Sequence, residues 1–266
     1  MKEFFGWDGY TRDPEGFLSW QHLLFVTCLM AVMTIVAVVL SRKMRTASDV
    51  QKNRVLIVAA ILIDSFELLK IVILCFRSGD PWTWLYELPL FLCSIMLIAI
   101  PLAAFSKGRM KQAALDFVLI FGILGAVLGT YGAGNNYGSY PVLCFDNVIS
   151  GITHSISGFS SLYIGMTGMA TLKKKNIPIT VSVLLGFSVC ATVANLILDY
   201  NYMFLVRGDG TPYEILYSLV GGNPILYPIG VILLFFIYIL AFYGIAFWIH
   251  AKQKNNKKVR HLSTER

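Results

Sequence analysis

The sequence predicts an all-α protein, a polytopic membrane helix bundle of about seven transmembrane helices with the N-terminus outside and the C-terminus in the cytoplasm. Of the 266 residues, 56% are hydrophobic and 14% are charged, and the mean hydropathy is +0.67. Runs of about twenty apolar residues recur, and each is long enough to cross a hydrocarbon core about 30 Å thick. These observations indicate a multi-pass protein of the cell membrane.

Seven apolar segments are predicted to cross the membrane. They cover residues 18–41, 54–76, 85–105, 112–132, 148–170, 178–200 and 225–249. The first is too long for the apolar region of a signal peptide and has no basic stretch before it. We interpret residues 1–250 as a single transmembrane helical domain and residues 251–266 as a basic cytoplasmic tail, which we expect to be disordered.

The charges of the loops set the predicted orientation. The loops after spans one, three and five and the C-terminal tail are rich in Lys and Arg, whereas the loops after spans two, four and six each hold at most one. Lys and Arg are enriched in cytoplasmic loops, so the N-terminus is predicted to lie outside. The net charge of +7 is therefore explained by topology and by contact with anionic lipid heads, and we expect no nucleic-acid partner.

Small residues predict where the helices pack. In the fourth span, glycines repeat at helical spacing at Gly122, Gly125, Gly129 and Gly132. In the fifth, one face carries Gly151, His154, Gly158, Ser161 and Gly165. Small faces let helix backbones approach closely in lipid, where van der Waals contact drives association. We therefore expect His154 to face the interior of the bundle.

Polar residues from several spans cluster at one predicted depth, near the outer surface of the membrane. Cys93 lies roughly 12 Å and His154 roughly 9 Å along their helices from the outer ends. A charged group at the centre of a membrane helix costs about 2.5–3.5 kcal/mol, so buried polar groups there suggest a function. The other candidates for this site are His22, Glu67, Lys70, Asp199, Asn201 and Tyr202. Together they predict one buried polar cavity.

Each candidate also has a purely structural interpretation. Asp64, Glu67 and Lys70 can neutralise one another along one helix, and a single buried cysteine or histidine can be a packing residue. The functional interpretation of Cys93 and His154 is stronger for the two residues together, because a neutral imidazole can take the proton of a buried thiol and create a nucleophile. Below the outer headgroups, such a pair would face the ester carbonyls of phospholipids.

Several motifs resemble one family. The segment ELPLFLC, residues 87–93, is similar to the LPLHLC signature of the YwaF family of bacterial integral membrane proteins and of its eukaryotic relative, transmembrane protein 164. Glu67, His154 and the segment NYMFL at 201–205 also resemble that family's pattern. Two segments depart from it: Phe91 stands where the family often has histidine, and GGNPILYP stands in place of a GPWPWY-like segment.

The resemblance implies transfer of acyl chains between phospholipids through a cysteine acyl-enzyme. It assigns Cys93 as the nucleophile and His154 as the general base and acid, with Glu67 and Asn201 as polar site residues. The leading hypothesis is therefore a membrane-embedded lipid acyltransferase or lipid hydrolase. Its partners would be membrane phospholipids and lipid acyl substrates.

Two other classes of function remain open. An ion-coupled transporter of a small solute would use Glu67, Lys70 and Asp199 as coupling groups, and a non-catalytic membrane partner protein would need none of these residues. No internal repeat is visible, which disfavours a transporter built from inverted repeats. Pro89 is predicted to begin the helix that carries Cys93, which favours a shallow site.

Metal and cofactor sites are not predicted. The four histidines are dispersed along the chain, and no phosphate-binding glycine motif or HExxH motif occurs. We therefore expect neither a cofactor nor a bound metal. The sequence does not define an oligomeric state.

Overall fold

The computed structural model describes the backbone of residues 1–170 and 172–264. It describes the side chains of residues 1–170, 172–249, 251 and 252. Within these residues every regular element is helical, and the one β-type contact is an isolated bridge between Trp7 and Gly9. The predicted all-α class is confirmed.

Ten α-helices form in the described part of the chain, together with three short 3-10 helices. The α-helices are α1 (Lys2–Phe5), α2 (Trp20–Met44), α3 (Asp49–Ser78), α4 (Met96–Phe105), α5 (Gly108–Tyr131), α6 (Gly134–Ser139), α7 (Phe145–Thr167), α8 (Ile177–Leu198), α9 (Tyr213–Leu219) and α10 (Leu226–Thr264). The 3-10 helices are Pro81–Glu87, Lys174–Asn176 and Tyr202–Phe204. Two of the long helices begin at a side-chain cap: Ser19 accepts from the His22 amide at the start of α2, and Ser48 and Gln51 form a reciprocal capping box at the start of α3.

Four segments of the described chain are long and apolar enough to cross a membrane. They are Trp20–Met44, Gly108–Ser139, Lys174–Leu198 and Leu226–Ile249. Helices α3 and α7 are also long, at 30 and 23 residues, but they carry the charged and small polar residues of the interior. The structure therefore supports a helical membrane protein with four candidate spans, and the larger number expected from the sequence stays a prediction.

The predicted third span, residues 85–105, is not one helix, and the expectation that Pro89 begins a helix carrying Cys93 was wrong. The 3-10 helix ends at Glu87, and α4 begins only at Met96. The proline ends the preceding 3-10 helix, because its ring disfavours a helical conformation in the residue before it, and residues 92–95 then form turns before α4. Leu88 accordingly has φ −59° and ψ 146°. Cys93 therefore lies in the irregular turns before α4.

Helix α7 is the centre of the packing, in contact with α2, α3 and α5, while α5 also packs against α4. The predicted small-residue faces meet where α5 crosses α7. A methyl group added at Gly122 would lie 2.8 Å from the Ser157 carbonyl oxygen, and one added at Gly158 would lie 2.7 Å from the Ala126 methyl group. Side-chain methyl groups essentially never lie this close to other atoms, so these positions require glycine. The close contact between α5 and α7 that the glycines predicted is confirmed.

The C-terminal tail predicted at residues 251–266 follows the last apolar segment. The backbone of α10 is described through Thr264, whereas the side chains from 253 onward and residues 265–266 lie outside the described residues. The expected disorder of this tail stays a prediction.

Candidate functional site

Two adjoining cavities share Cys93 and His154 in their walls. The larger, of about 600 Å³, has a mainly apolar lining that includes Phe91, Leu124, Leu128, Met203, Phe204 and Phe235. The smaller, of about 50 Å³, is lined by polar groups that include Glu67, Lys70, Ser94, Ser150 and Ser157. The thiol and the imidazole therefore lie at the boundary between an apolar chamber and a polar recess.

His154 is held in one orientation by its own helix. Its Nδ1 atom lies 2.7 Å from the carbonyl oxygen of Ser150, one turn earlier in α7. A carbonyl accepts and does not donate, so Nδ1 carries the proton and Nε2 keeps its lone pair. Nε2 is buried and has no hydrogen-bond partner among the described residues. The free nitrogen is thus the one able to accept a proton.

Two glycines of α5 make the space for this pair. A methyl group added at Gly129 would overlap the Nε2 and Cδ2 atoms of His154, and one added at Gly125 would lie 3.4 Å from the Cα and Cβ atoms of Cys93. Residues four apart share one face of a helix, with Cβ atoms about 5–6 Å apart. Adjacent turns of α5 therefore seat the cysteine and the histidine side by side.

Cys93 is half-buried, and its position follows from the turns that precede α4. The amide of Ile95 donates to the carbonyl of Phe91 at 3.0 Å, and that of Met96 donates to the carbonyl of Cys93 at 3.3 Å. The thiol interacts electrostatically with the His154 imidazole and with the Ser94 hydroxyl. The structure therefore places both predicted residues in the walls of the same two cavities, although they come from separate elements.

Lys70 lies between two carboxylates. Its ammonium nitrogen is 2.8 Å from Glu67 in the same helix and 2.9 Å from Glu87 in the 3-10 helix before Cys93. Asp64 is exposed. The charged stripe of α3 is thus not neutralised within one helix, because Lys70 also holds the segment that leads to the cysteine. Glu87 was missed as a site residue, although it is the first letter of ELPLFLC.

Asn201 lines the larger cavity, whereas Tyr202 does not. Asn201 is buried and donates to Asp209 at 2.8 Å. Tyr202 is fully buried, with its amide donating to Asn195 at 2.6 Å and its hydroxyl donating to the carbonyl oxygen of Leu85. Tyr202 therefore fastens the segment before Cys93 to α8, and its neighbour Tyr200 is the one that faces the cavity.

His22 lies apart from the cavity. Its Nδ1 accepts a hydrogen bond from the Leu18 amide at 3.1 Å, and its Nε2 donates to the Thr130 carbonyl oxygen at 3.1 Å. The ring also stacks on Tyr137 with centroids 3.8 Å apart. Both ring nitrogens are occupied, so His22 joins the start of α2 to the end of α5.

Asp199 is exposed and lines neither cavity. It is the residue that ends α8, in the left-handed conformation with φ 48° and ψ 50°. The transporter hypothesis counted Asp199 as a coupling group, and this position gives it no contact with Lys70 or Glu67. Its place at the helix end explains its presence without a role in the site.

Replacing Asp199 with glycine is expected to stabilise the protein by about 0.5–1 kcal/mol, because a left-handed conformation strains any residue with a Cβ atom. The measurement is the thermal unfolding midpoint of the detergent-solubilised protein. Activity should stay at the wild-type level. A loss of activity without a loss of stability would instead show that Asp199 has a role in the site.

A third polar group lies in the wall of the larger cavity and was not expected from the sequence. Arg77 binds both oxygens of Asp146, at 2.7 and 2.9 Å, and so ties α3 to α7. Tyr10 also donates to Asp146. The pKa of the Tyr10 phenol is raised, mainly because the phenol is buried and also because it lies against the Asp146 carboxylate. The phenol therefore stays protonated and acts as a donor. No local motif marks these residues, since their partners are far away in the sequence.

The described residues contain no group of three or more His, Cys, Asp or Glu side chains arranged to hold a metal ion. The fold and the cavities together define a helical membrane protein with a cysteine and a histidine at the edge of an internal apolar chamber. Comparison with known families matches residues 17–253 to the TMEM164 family, and the chain belongs to that family. No curated protein and no solved structure matches the chain.

Proposed function

We propose that the protein is a membrane-embedded lipid acyltransferase that acts on phospholipid acyl esters, with Cys93 as nucleophile and His154 as base. The observation that carries the proposal is the free Nε2 atom of His154, buried beside the Cys93 thiol at the wall of the apolar chamber. A base held ready next to a thiol is the arrangement required for cysteine acyl transfer.

The reaction proceeds in two balanced steps. The Nε2 atom of His154 takes the thiol proton while the sulfur of Cys93 attacks the ester carbonyl carbon. The carbon–oxygen ester bond then breaks, and the departing lysophospholipid oxygen takes the proton from His154. This leaves an acyl thioester on Cys93. The hydroxyl of a second lysophospholipid gives its proton to His154 while its oxygen attacks the thioester carbonyl carbon. The carbon–sulfur bond then breaks, and His154 returns the proton to the Cys93 sulfur, which restores the thiol.

The shape of the larger cavity supports a lipid substrate. Binding sites for small molecules commonly have about 300–1,000 Å³ and mainly apolar walls with a few polar groups. The chamber of about 600 Å³ has this character along α5, α10 and residues 203–204. The acyl chain would lie among these apolar side chains, with its ester at Cys93.

The smaller cavity bears on whether a lipid or a water molecule accepts the acyl group. A buried water needs roughly 10–15 Å³ of such space and two to four polar partners. The recess of about 50 Å³ has room and partners for water, beside both Cys93 and His154. Water in this recess would be the acceptor if the enzyme hydrolyses lipids.

The proposed topology places the site in the outer leaflet of the cell membrane. In it, α3, α4 and α7 cross the membrane with the four more apolar segments, the N-terminus lies outside and the C-terminus in the cytoplasm. Lys70 supports the span assigned to α3, because two carboxylates neutralise it inside the bundle. Within its family, we place the chain with the bacterial YwaF proteins on the motif ELPLFLC.

The proposal is tested by intact-protein mass spectrometry after incubation of the purified protein with a phospholipid of defined acyl chains. We expect an added mass of one acyl group, removable by hydroxylamine and located at Cys93. The matched control is Cys190→Ala, which removes an exposed cysteine of α8 and should leave the adduct unchanged. An adduct on another cysteine, or acyl exchange that persists in Cys93→Ala, would overturn the proposal.

A further inference from the structure

The charged groups of the larger cavity occur as pairs of opposite sign. Its two arginines, Arg77 and Arg207, each lie against an aspartate, Asp146 and Asp209 respectively. The pairs differ in how many of the arginine's donors they use. This difference separates a structural arginine from one that is able to bind a ligand.

Arg77 is bound by the protein at both terminal nitrogens of its guanidinium group. One terminal nitrogen donates to the Phe5 carbonyl oxygen, the Tyr10 hydroxyl and Asp146, and the other donates to the second Asp146 oxygen. Both terminal nitrogens are therefore occupied. We assign Arg77 to the joint between α3, α7 and the N-terminal segment.

Arg207 uses only the inner nitrogen of its guanidinium group. Nε donates to Asp209 at 2.7 Å, and the two terminal nitrogens make no hydrogen bond to the side chains and backbone that the structure describes. The arginine side chain is 53% exposed. Its terminal amino groups are thus a free pair of parallel donors at the wall of the cavity.

Asn201 holds this arginine in place. Its side-chain oxygen accepts from the amides of Val206 and Arg207 at 2.9 and 3.3 Å. Its side-chain nitrogen donates to the Arg207 carbonyl oxygen and to Asp209, both at 2.8 Å. One buried amide therefore fixes both the backbone of Arg207 and the carboxylate that orients its guanidinium.

The backbone around this arginine is unusual as well. Met203, Phe204 and Asp209 have positive φ angles of 59°, 54° and 48°. Such conformations cost roughly 1–3 kcal/mol each and concentrate at ligand sites. Met203 and Phe204 also line the apolar part of the same cavity. A single strained segment therefore supplies both an apolar wall and a cation.

We propose that Arg207 binds the phosphate of the phospholipid substrate through its two terminal amino groups. The inference rests on the proposed function and names the part of the substrate that this residue recognises. A guanidinium edge matches two phosphate oxygens and forms charge-assisted hydrogen bonds. The phosphate then sits at Arg207 and the acyl chain along Met203 and Phe204. Asn201 acts as a positioning residue.

The test measures binding rather than turnover, so that it does not depend on catalysis. The full-length Cys93→Ala protein in detergent is titrated with a short-chain diacylphosphatidylcholine and with the diacylglycerol that has the same chains. We expect Arg207→Gln to weaken binding of the phospholipid about tenfold to a hundredfold, because it removes charge-assisted bonds. Binding of the diacylglycerol should not change.

Two further variants control for folding and charge. The double variant Arg207→Gln/Asp209→Asn removes both charges of the ion pair. It should weaken phospholipid binding as much as Arg207→Gln alone does, since neither substitution alters the hydrogen bonds between Asn201 and the backbone. Arg12→Gln is a matched control, because Arg12 has the same 53% exposure and also pairs with a carboxylate, at Glu15. It lies outside the cavity lining and should bind both lipids as the parent does.

The outcomes separate the possible sources of the phosphate. Competition by millimolar inorganic phosphate that equals competition by the phospholipid would overturn the lipid assignment and indicate a site for a soluble anion. Equal loss of diacylglycerol binding in Arg207→Gln would overturn the phosphate contact itself. Phospholipid binding that depends on Arg207, together with a wild-type protein that forms no thioester at Cys93, would uphold this inference while ending the proposed catalysis.

Discussion

Replacing Gly129 with alanine is expected to slow acylation of Cys93 by roughly 10²- to 10³-fold, because a general base displaced by about 1 Å loses most of its effect. The added methyl group would overlap the Nε2 and Cδ2 atoms of His154. The imidazole must then swing away and break its bond from Nδ1 to the Ser150 carbonyl oxygen. The measurement is the rate of thioester formation in a single turnover.

The fold should survive this substitution, since a side chain rather than a backbone segment has to move. Two glycine variants serve as comparisons. Gly186→Ala makes the same change in α8, where nothing lies within 4 Å of the new methyl group, and should react at the wild-type rate. Gly125→Ala meets Cys93 only at 3.4 Å and should lose much less. A folded Gly129→Ala protein with full activity would contradict the assigned role of His154.

Sequence periodicity predicts which faces of a helix are small, and here that was enough to place His154. The glycines of α5 and α7 indicated close packing, and the same face carried the histidine inward. The helical class followed from the long apolar runs in the same direct way. These features depend on spacing within one helix, which the sequence displays.

Depth along a helix does not reveal which neighbours a residue meets. His22, Asp199 and Cys93 were all expected near the outer surface, yet only Cys93 borders the cavities. The irregular segment before α4 was not predicted, because its residues are as apolar as those of a membrane-spanning helix. Glu87 was missed for a related reason: its partner Lys70 lies on another element, and only the folded chain brings them to 2.9 Å.

The second large effect is expected from Lys70→Met, which should destabilise the protein by about 3–5 kcal/mol because it leaves buried carboxylates without their cation. The side chains of Lys70, Glu67 and Glu87 are only 17%, 12% and 28% exposed. Thermal unfolding in detergent measures the loss. The exposed pair of Lys2 and Asp8 supplies the control, because Lys2→Met removes a cation that is 86% exposed and should not change the unfolding midpoint.

The cause is separable from the general loss of a side chain. Combining Lys70→Met with Glu67→Gln and Glu87→Gln removes every charge of the cluster together, and most of the stability should return. A triple variant as unstable as Lys70→Met alone would show that packing, rather than unpaired charge, explains the effect.

Activity in the stable triple variant then distinguishes two roles for Lys70. If the ion pairs only hold the 3-10 helix that ends at Glu87, six residues before Cys93, neutral hydrogen-bonding side chains should restore most of the acylation rate. If stability returns but acylation stays slow, the ammonium group itself acts on the reaction. A positive charge beside Cys93 and His154 would then stabilise the negative oxygen that forms when the thiolate attacks the ester.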